Sequence, residues 1–268
     1  MTKDLENKTA IVTAASRGIG LAIAEKLVEE GAIVYMAVRD SEKNRQLTAQ
    51  LHEQNENFRS VFYDAFDFAT YAPMIQEVVQ DAGHLDILVN NFGTTDVKKD
   101  TTLVDGDSQT FFDIVDKNIA SVYYTSKYAV KVMREQESGG NIINISSVAS
   151  TTPDISRLAY GVSKAAINSL TKQTAVEYAR DKIRANAVLP GFVGTDGALQ
   201  NMSKSFLDGF LVPLNEVVKP VDIANMVAFL ASDKARYVTG ELITVAGGFG
   251  LPTPIYGDAM SGSIKKGW

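Results

Sequence analysis

The stretch TAIVTAASRGIG, residues 9–20, decides the fold. Its β-prone part, Thr9–Thr13, runs directly into a turn with two glycines, and helical apolar spacing begins at Ile19. Strand, tight turn and helix in this order predict a phosphate-binding element, because a helix N-terminus offers unpaired N–H groups and a positive dipole. Ala14 stands where a first glycine is expected in such a turn. A negative φ there would suit alanine, and a positive φ would imply strain.

Beyond this element, short β-rich runs alternate with segments that have helical apolar spacing. The predicted strands are Thr9–Thr13, Ile33–Val38, Ser60–Tyr63, Ile87–Asn90, Asn141–Ile145, Ala185–Leu189 and Leu242–Val245. The predicted helices include Ile19–Glu30, Tyr71–Ala82, Gln109–Met133, Ala159–Arg180 and Pro220–Ser232. This alternation predicts a single-domain α/β fold, a Rossmann-type doubly wound parallel sheet with helices on both faces. The first five strands are nearly continuous apolar runs, which predicts burial on both faces.

Length and composition limit the possible functions. The 268 residues suit one dinucleotide-binding and catalytic domain over residues 1–268. A net charge of −6 argues against nucleic acid or a membrane surface as a partner. With no cysteine and only His52 and His84, we expect no metal site, thiol nucleophile or Ser-His-Asp triad. The polar N-terminus and the lack of an apolar run of about 18 residues lead us to expect a cytoplasmic protein.

Charge at the end of the second predicted strand bears on the cofactor. A carboxylate at this point reads the ribose hydroxyls of NAD, whereas a guanidinium pairs with the extra phosphate of NADP. Arg39 therefore favours NADP, and Ser16 and Arg17 in the glycine turn are candidates for further phosphate contacts. Asp40 is the competing residue. We interpret it as the cap of a following helix.

The sequence Tyr160-Gly161-Val162-Ser163-Lys164 carries the strongest chemical signal. On a helix, Tyr160 and Lys164 share one face because they lie four residues apart. A tyrosine has an ordinary pKa near 10, and a fixed ammonium nearby is expected to lower it toward the range of a general acid/base. Ser147, at the end of a predicted strand, can hold a substrate hydroxyl or carbonyl oxygen.

Taken together, these motifs resemble the short-chain dehydrogenase/reductase family over nearly the whole chain. The order and spacing match in TAASRGIG, Asn90-Asn91-Phe92-Gly93, Asn118, Ser147, Tyr160, Lys164 and Pro190-Gly191. Two positions depart from the family pattern: Ala14 replaces the first glycine, and Phe92 replaces an alanine. The family's NAD-selecting carboxylate position falls on Val38, and its NADP-dependent members place an arginine at the next position, which is Arg39.

The resemblance implies a role for each matching residue. Tyr160 would be the general acid/base, Lys164 would tune it and bind the nicotinamide ribose, and Ser147 would orient the substrate oxygen. Asn118 would anchor a water of a proton relay. The implied cofactor-binding residues are Thr13, Ser16, Arg17, Gly18, Ile19, Gly20, Arg39, Asp64, Ala65, Asn91, Gly93, Tyr160, Lys164, Pro190, Gly191, Val193 and Thr195.

A narrower resemblance concerns the substrate. The segments NNFGTTDVKKD and VAGGFGLPTPIY are similar to those of bacterial NADP-dependent hydroxysteroid dehydrogenases acting on bile acids, the 7α-specific enzymes first and a 12β-specific relative next. We expect Gly194–Val218 and Gly247–Trp268 to shape the substrate pocket, and the family resemblance implies a homotetramer. The predicted apolar lining is Phe92, Phe192, Met202, Phe206, Phe210 and Tyr256. The alternatives are a 3-oxoacyl carrier-protein reductase and, more distantly, a non-catalytic NADP-binding regulator.

Overall fold

The structure is a computed structural model that describes residues 3–153, 155–200 and 212–251. Within these ranges seven strands form one parallel sheet in the order β3-β2-β1-β4-β5-β6-β7. The strands are β1 Thr9–Thr13, β2 Ile33–Val38, β3 Phe58–Phe62, β4 Ile87–Asn90, β5 Gly140–Ile145, β6 Ile183–Pro190 and β7 Leu242–Val245. The helices are α1 Gly18–Glu29, α2 Glu42–Gln54, α3 Tyr71–Ala82, α4 Ser108–Glu135, α5 Leu158–Glu177, α6 Asp196–Gln200 and α7 Pro220–Ala231.

Helices cover both faces of the sheet, which confirms the predicted doubly wound Rossmann-type fold. On one face a core cluster joins side chains of α1, α2 and α7, including Leu27, Leu51 and Val227. On the other face a second cluster joins side chains of α3, α4 and α5, including Met74 and Met133. Burial of these two apolar layers stabilises the sandwich, because apolar area removed from water is the main favourable contribution to folding.

One sequence prediction about the sheet needs correction. β3 is not buried on both faces: Phe58 and Val61 are buried, whereas Ser60 is exposed and Phe62 is 49% exposed. The reason is its place at the edge of the sheet, where it pairs with β2 alone. Helix α2, the helix expected after Asp40, has a polar sequence and buries Thr48 and Leu51 but little else.

The strand order reverses direction between β1 and β4. From β1 the chain builds outward through β2 to β3, and from β4 it builds the other way through β5 and β6 to β7. Ligands of open α/β sheets bind at such a reversal, in the crevice beyond the carboxyl ends of the strands. Of the helices in the described residues, none is long and apolar enough to cross a membrane.

Candidate active site

The turn after β1 is left-handed at two positions, Ala14 with φ of 54° and Gly18 with φ of 55°. Glycine adopts this conformation freely, whereas alanine carries a strain of roughly 1 kcal/mol. Gly20 has no room for a side chain, because a Cβ there would lie 2.5 Å from Ala14 O and 2.5 Å from Asn91 Nδ2. The turn is thus intact but strained at Ala14, and Gly20 is required for close packing of α1.

Helix α1 begins at Gly18 without a side-chain cap. Its N-cap residue Arg17 has an extended backbone and makes no side-chain cap hydrogen bond. Of the described residues, none in the first turn of α1 is acidic. Of the predicted residues, Ile19 and Gly20 lie in this first turn, and Ser16 directly precedes the N-cap. First-turn N–H groups and the positive end of the helix dipole favour an anion, so the turn fits a pyrophosphate.

Asn91 joins the end of β4 to the glycine turn. The backbone N–H groups of Asn91 and Phe92 donate to Thr13 Oγ1 at 2.9 and 3.2 Å. Asn91 Nδ2 donates to Thr13 O at 3.1 Å and to Ala14 O at 3.3 Å. These bonds hold the carboxyl ends of β1 and β4 together at the point where the strand order reverses. Thr13 and Asn91 are therefore neighbours, as the predicted site requires.

The structure distinguishes Arg39 from Asp40, the two residues after β2 that could select between NADP and NAD. Arg39 is exposed at the carboxyl end of the strand. The interpretation of Asp40 as the cap of α2 is wrong. Ser41 is the N-cap, its Oγ accepts from Asn44 N at 3.2 Å, and Asp40 forms an ion pair with Arg45. The side chain directly before the first helical residue takes the cap, and Asp40 is one position too early.

Asp64 and Ala65 lie in the turn after β3. Asp64 Oδ1 accepts from Phe66 N at 3.0 Å, and Ala65 O accepts from the Tyr71 hydroxyl at 2.8 Å. The ring of Phe92 packs edge-to-face on Phe66, with centroids 5.8 Å apart. This contact places the Phe92 ring beside the turn after β3, and its predicted substrate-lining role stays a prediction.

Ser147, Tyr160 and Lys164 meet beyond the carboxyl end of β5. Lys164 Nζ lies 5.6 Å from the centroid of the Tyr160 ring, and the Ser147 side chain is hydrogen-bonded to Tyr160. Lys164 is only 2% exposed, and its Nζ donates to Ile145 O at 2.8 Å. Gly93 leaves room for it, because a Cβ there would lie 3.1 Å from Lys164 Nζ. The predicted cluster is thus assembled in one place.

Burial shifts the pKa values of Tyr160 and Lys164 in opposite directions. It raises the pKa of Tyr160 above its ordinary value of 10.0, although the Ser147 hydrogen bond and the positive charge of Arg157 oppose the rise. Burial lowers the pKa of Lys164 from 10.5 to about 8. The expected lowering of the Tyr160 pKa by an ammonium is therefore wrong for this structure. Desolvation of the phenolate outweighs the nearby positive charge.

Asn118 is fully buried on α4, and its side chain is bonded within the protein. Its Oδ1 accepts from Thr94 N at 2.8 Å, and its Nδ2 donates to Thr94 O at 3.0 Å and to Ser163 Oγ at 2.9 Å. Ser163 Oγ in turn donates to Tyr160 O at 2.8 Å. Both amide hydrogens of Asn118 are thus used in hydrogen bonds within the protein. The side chain can therefore bind a water only as an acceptor, through Oδ1.

Sequence reasoning missed Asp100 and Ser163, which hold the first turn of α5. Asp100 is 4% exposed, and its carboxylate accepts from Ala159 N at 2.8 Å and from Tyr160 N at 3.0 Å. Asp100 precedes Ala159 by 59 positions, so no local motif links them. The sequence gives one indirect signal. Arg157 directly precedes α5 and is not a residue type that caps a helix, so a cap from another segment is needed.

The segment after β6 returns toward the glycine turn. Gly191, next to Pro190, has no room for a side chain, because a Cβ there would lie 2.8 Å from Ala246 Cβ. Thr195 caps α6, since its Oγ1 accepts from Ala198 N at 3.2 Å. Its Cγ2 would be 3.2 Å from a Cβ on Gly18, so the predicted cofactor residues on both sides of the crevice are brought together.

The described ends of the two predicted pocket segments contact each other. Val193 pairs with Val218, which closes the ends of the first segment, and Leu214 N donates to Gly247 O at 3.1 Å. A Cβ on Gly250 would lie 3.1 Å from Thr152 Oγ1, close in sequence to Ser147. Phe192, which directly precedes Val193, is half-buried. The remaining predicted lining residues, Met202, Phe206, Phe210 and Tyr256, lie outside the described residues.

Comparison with known proteins identifies the family. Residues 13–250 match the family model described as enoyl-(acyl carrier protein) reductase. The chain belongs to the short-chain dehydrogenase/reductase family. Its sequence is 50% identical, over 96% of this chain and 98% of the relative, to a 7α-hydroxysteroid dehydrogenase of Clostridium sardiniense. It is 47% identical, over 98% and 99%, to the 7α-hydroxysteroid dehydrogenase of Paraclostridium sordellii.

A solved structure supports the same membership. A short-chain type dehydrogenase/reductase from Mycobacterium ulcerans matches with a TM-score of 0.86 and 28% identity, over 97% of this chain and 96% of the other. As a short-chain dehydrogenase/reductase, the chain is an oxidoreductase that uses a nicotinamide cofactor and a small-molecule substrate, rather than a non-catalytic regulator. Its own residues fit that cofactor, because the uncapped α1 and the crowded Gly20 leave a backbone cradle for a pyrophosphate.

Proposed function

We propose that this short-chain dehydrogenase/reductase is an NADP-dependent 7α-hydroxysteroid dehydrogenase that acts on bile acids. The observation that carries the proposal is the assembly of Ser147, Tyr160 and Lys164 beside the glycine cradle. The two relatives at 50% and 47% identity, both named 7α-hydroxysteroid dehydrogenases, support the substrate class. We extend the proposal to a homotetramer in the cytoplasm, the former resting on the family resemblance and the latter on composition.

The proposed reaction moves one proton through Tyr160. In the reductive direction the Tyr160 hydroxyl gives its proton to the substrate carbonyl oxygen, while Ser147 donates a hydrogen bond to that oxygen. In the oxidative direction the Tyr160 phenolate accepts the hydroxyl proton. Bound NADP or NADPH supplies the hydride acceptor or donor for the substrate carbon. Because burial raises the pKa of Tyr160, the phenol predominates at neutral pH, and oxidation should speed up as the pH rises.

Choice of NADP over NAD is assigned to Arg39, with Ser16 and Arg17 as further phosphate contacts. Arg39 is exposed beyond β2, and the competing carboxylate of Asp40 is paired with Arg45. A guanidinium can bind a phosphate through two parallel hydrogen bonds. Because Arg45 balances the negative charge of Asp40, the net charge near Arg39 stays positive, which favours an additional phosphate.

The substrate pocket is assigned to the space beyond β5 and β6. Contacts between Leu214 and Gly247, and between Gly250 and Thr152, support a pocket wall built jointly by the segment 194–218 and the tail 247–268. A sterol ring system needs such a concave, mostly apolar wall with a few polar groups at the reacting end. Ser147 and Tyr160 would be those polar groups.

A substrate panel tests the proposal. NADPH oxidation by the full chain would be followed with 7-oxo and 12-oxo bile acids and with an acetoacetyl thioester at equal concentrations. We expect turnover of the 7-oxo bile acid to exceed the other two by at least about tenfold, the effect of roughly 1.4 kcal/mol of transition-state binding. Turnover confined to the thioester would overturn the steroid assignment in favour of a 3-oxoacyl carrier-protein reductase.

A further inference from the structure

We infer that Asp100 is a positioning residue for Tyr160: from a segment distant in sequence, it caps the helix that carries Tyr160 and so sets where its hydroxyl lies. The inference rests on the proposed role of Tyr160 as the general acid/base. Asp100 belongs to the segment that joins β4 to α4, residues 94–107, which we call the strap. None of the roles carried over from family resemblance falls on Asp100.

The first turn of α5 lacks a cap of its own. Its N-cap residue Arg157 makes no side-chain cap hydrogen bond and has a left-handed backbone with φ of 63°. The Asp100 carboxylate fills this place by accepting from Ala159 N at 2.8 Å and from Tyr160 N at 3.0 Å, the bonds that an N-cap aspartate would make. In addition, Arg157 N donates to Asp100 O at 2.9 Å. Three of the bonds that fix this turn thus end on one residue.

The Tyr160 backbone is held from both sides. Its N–H donates to Asp100, and its carbonyl accepts from Ser163 Oγ, which accepts in turn from Asn118 Nδ2. Asn118 also binds Thr94 at the start of the strap. The strap therefore reaches the two peptide groups of Tyr160 along two independent paths. Because Tyr160 has two χ angles between backbone and hydroxyl, fixing its peptide groups limits the positions of the proton it transfers.

The burial of Asp100 supports a specific role over a surface contact. A carboxylate that is 4% exposed costs free energy unless hydrogen bonds replace its water. Those replacements are the two α5 N–H groups and a longer contact from Thr95 Oγ1 at 3.4 Å. The positive end of the α5 dipole stabilises the charge further. The carboxylate and the first turn of α5 thus depend on each other.

The strap offers a matched control at its other end. Asp107 is exposed and caps α4, where its Oδ1 accepts from Thr110 N at 2.7 Å. Asp107→Ala removes the same kind of cap with the same substitution, but the hydrogen bonds of Asp107 go to Thr110, Phe111 and Lys99 and not to Tyr160. A loss shared by both variants would report general damage to the strap. A loss confined to Asp100 variants would report the position of Tyr160.

The experiment compares the wild type, Asp100→Ala, Asp100→Asn, Asp107→Ala and Tyr160→Phe on whichever ketone the wild type reduces. We expect Asp100→Ala to lower kcat by about 10- to 100-fold, the effect of a displacement near 1 Å, with the Kd for NADPH unchanged. Asp100→Asn keeps one acceptor and should fall between Asp100→Ala and the wild type. Asp107→Ala should keep kcat within about twofold, since it leaves all the Asp100 contacts in place.

Hydrogen exchange provides a readout that does not depend on activity. Amides at the start of α5 should exchange faster in Asp100→Ala than in Asp107→Ala, whose faster exchange should lie at the start of α4. Equal kcat in the two variants, or a rise in the NADPH Kd matching the fall in kcat, would overturn the inference. If Asp100→Ala does not fold, wild-type turnover in Asp100→Asn would overturn it instead. Unchanged turnover in Tyr160→Phe would refute the proposed function itself.

Discussion

The two sides of the crevice hold their polar side chains in different ways. On the side of β4, β5 and β6, Asn118 and Lys164 are buried, and their hydrogen bonds end on protein atoms. On the side of β1, β2 and β3, Arg17 and Arg39 are exposed, and α1 has no side-chain cap. We call the first the catalytic side and the second the cofactor side, after the roles proposed for their residues. The catalytic side is held by hydrogen bonds within the protein, whereas the cofactor side presents exposed positive charge and uncapped helix N–H groups, which suit an anion.

This difference separates the expected effects of mutation. Groups fixed before the reaction lower the barrier without reorganisation, so changes on the catalytic side should alter turnover. Exposed charges contribute to binding, so changes on the cofactor side should alter affinity and selectivity. Two substitutions, Tyr160→Phe and Arg39→Asp, test this division, and two more test the energetic cost of a buried charge on the first side and of a strained turn on the second.

The largest effect is expected for Tyr160→Phe, which removes the transferred proton but keeps the ring. We expect kcat to fall by about 10²- to 10⁴-fold, the usual contribution of a general acid/base. The Kd for NADPH, measured by fluorescence, should change less than about twofold, because the loss lies on the catalytic side. A variant that kept kcat within a factor of two of the wild type would remove Tyr160 from its assigned role.

Lys164→Met tests the cost of the buried ammonium. The pKa of Lys164 is lowered to about 8 in the fold, so between about pH 8 and pH 10.5 the unfolded chain binds a proton that the folded chain does not. As the pH rises through this window, the free energy of unfolding of the wild type should therefore increase by up to roughly 3 kcal/mol relative to that of the methionine variant. Urea unfolding at pH 7.5 and pH 9.5, which covers part of this window, should show about 2 kcal/mol of that gain. A constant difference between the two proteins at both pH values would contradict the lowered pKa.

Arg39→Asp tests the cofactor side. Removing one charge-assisted contact should raise the KM for NADP by about 10- to 100-fold, while kcat and the KM for NAD change little. Arg180→Asp is the matched control, since Arg180 is also exposed but lies just before β6, at the opposite end of the parallel sheet from Arg39. Equal increases in KM for NADP and NAD, or the same selectivity change in both variants, would show that Arg39 is not the phosphate reader.

The smallest effect is expected for Ala14→Gly. The φ of 54° at Ala14 suits glycine, so relief of strain should exceed the added chain entropy by about 0.5 kcal/mol in the free energy of unfolding. Ala15→Gly is the control, because Ala15 is fully buried and its φ is not positive. It should lose about 1 kcal/mol. A loss of similar size in Ala14→Gly would argue against strain in the turn.

Much of the fold could be predicted because its signals are local. The boundaries of β1, β2, β4 and β7 follow from short apolar runs, and α3 follows from a strong helical period. β3 and α2 were harder to predict, and for related reasons. Both lie at the edge of the sheet, where partial exposure replaces the apolar pattern with a polar one.

The candidate site, like the fold, has parts that local sequence predicts and parts that it does not. The spacing of Tyr160 and Lys164 and the position of Arg39 after β2 are properties of the chain, and the structure brings them to the expected end of the sheet. Asp100 could not be predicted from sequence, because its partners lie 59 and 60 positions away. Ser41 rather than Asp40 caps α2, and a difference of one residue at a helix start is beyond what pattern alone resolves.

By itself, the sequence determined the alternation of strands and helices, the glycine turn, and the identities of Tyr160, Lys164 and Arg39. These depend on periodicity and on the chemistry of single side chains. The tertiary structure alone decided the positive φ of Ala14, the direction of the pKa shift of Tyr160, and the capping of α5 by Asp100. Each of these depends on burial and on contacts between segments distant in sequence, which exist only once the sheet and its helices have packed.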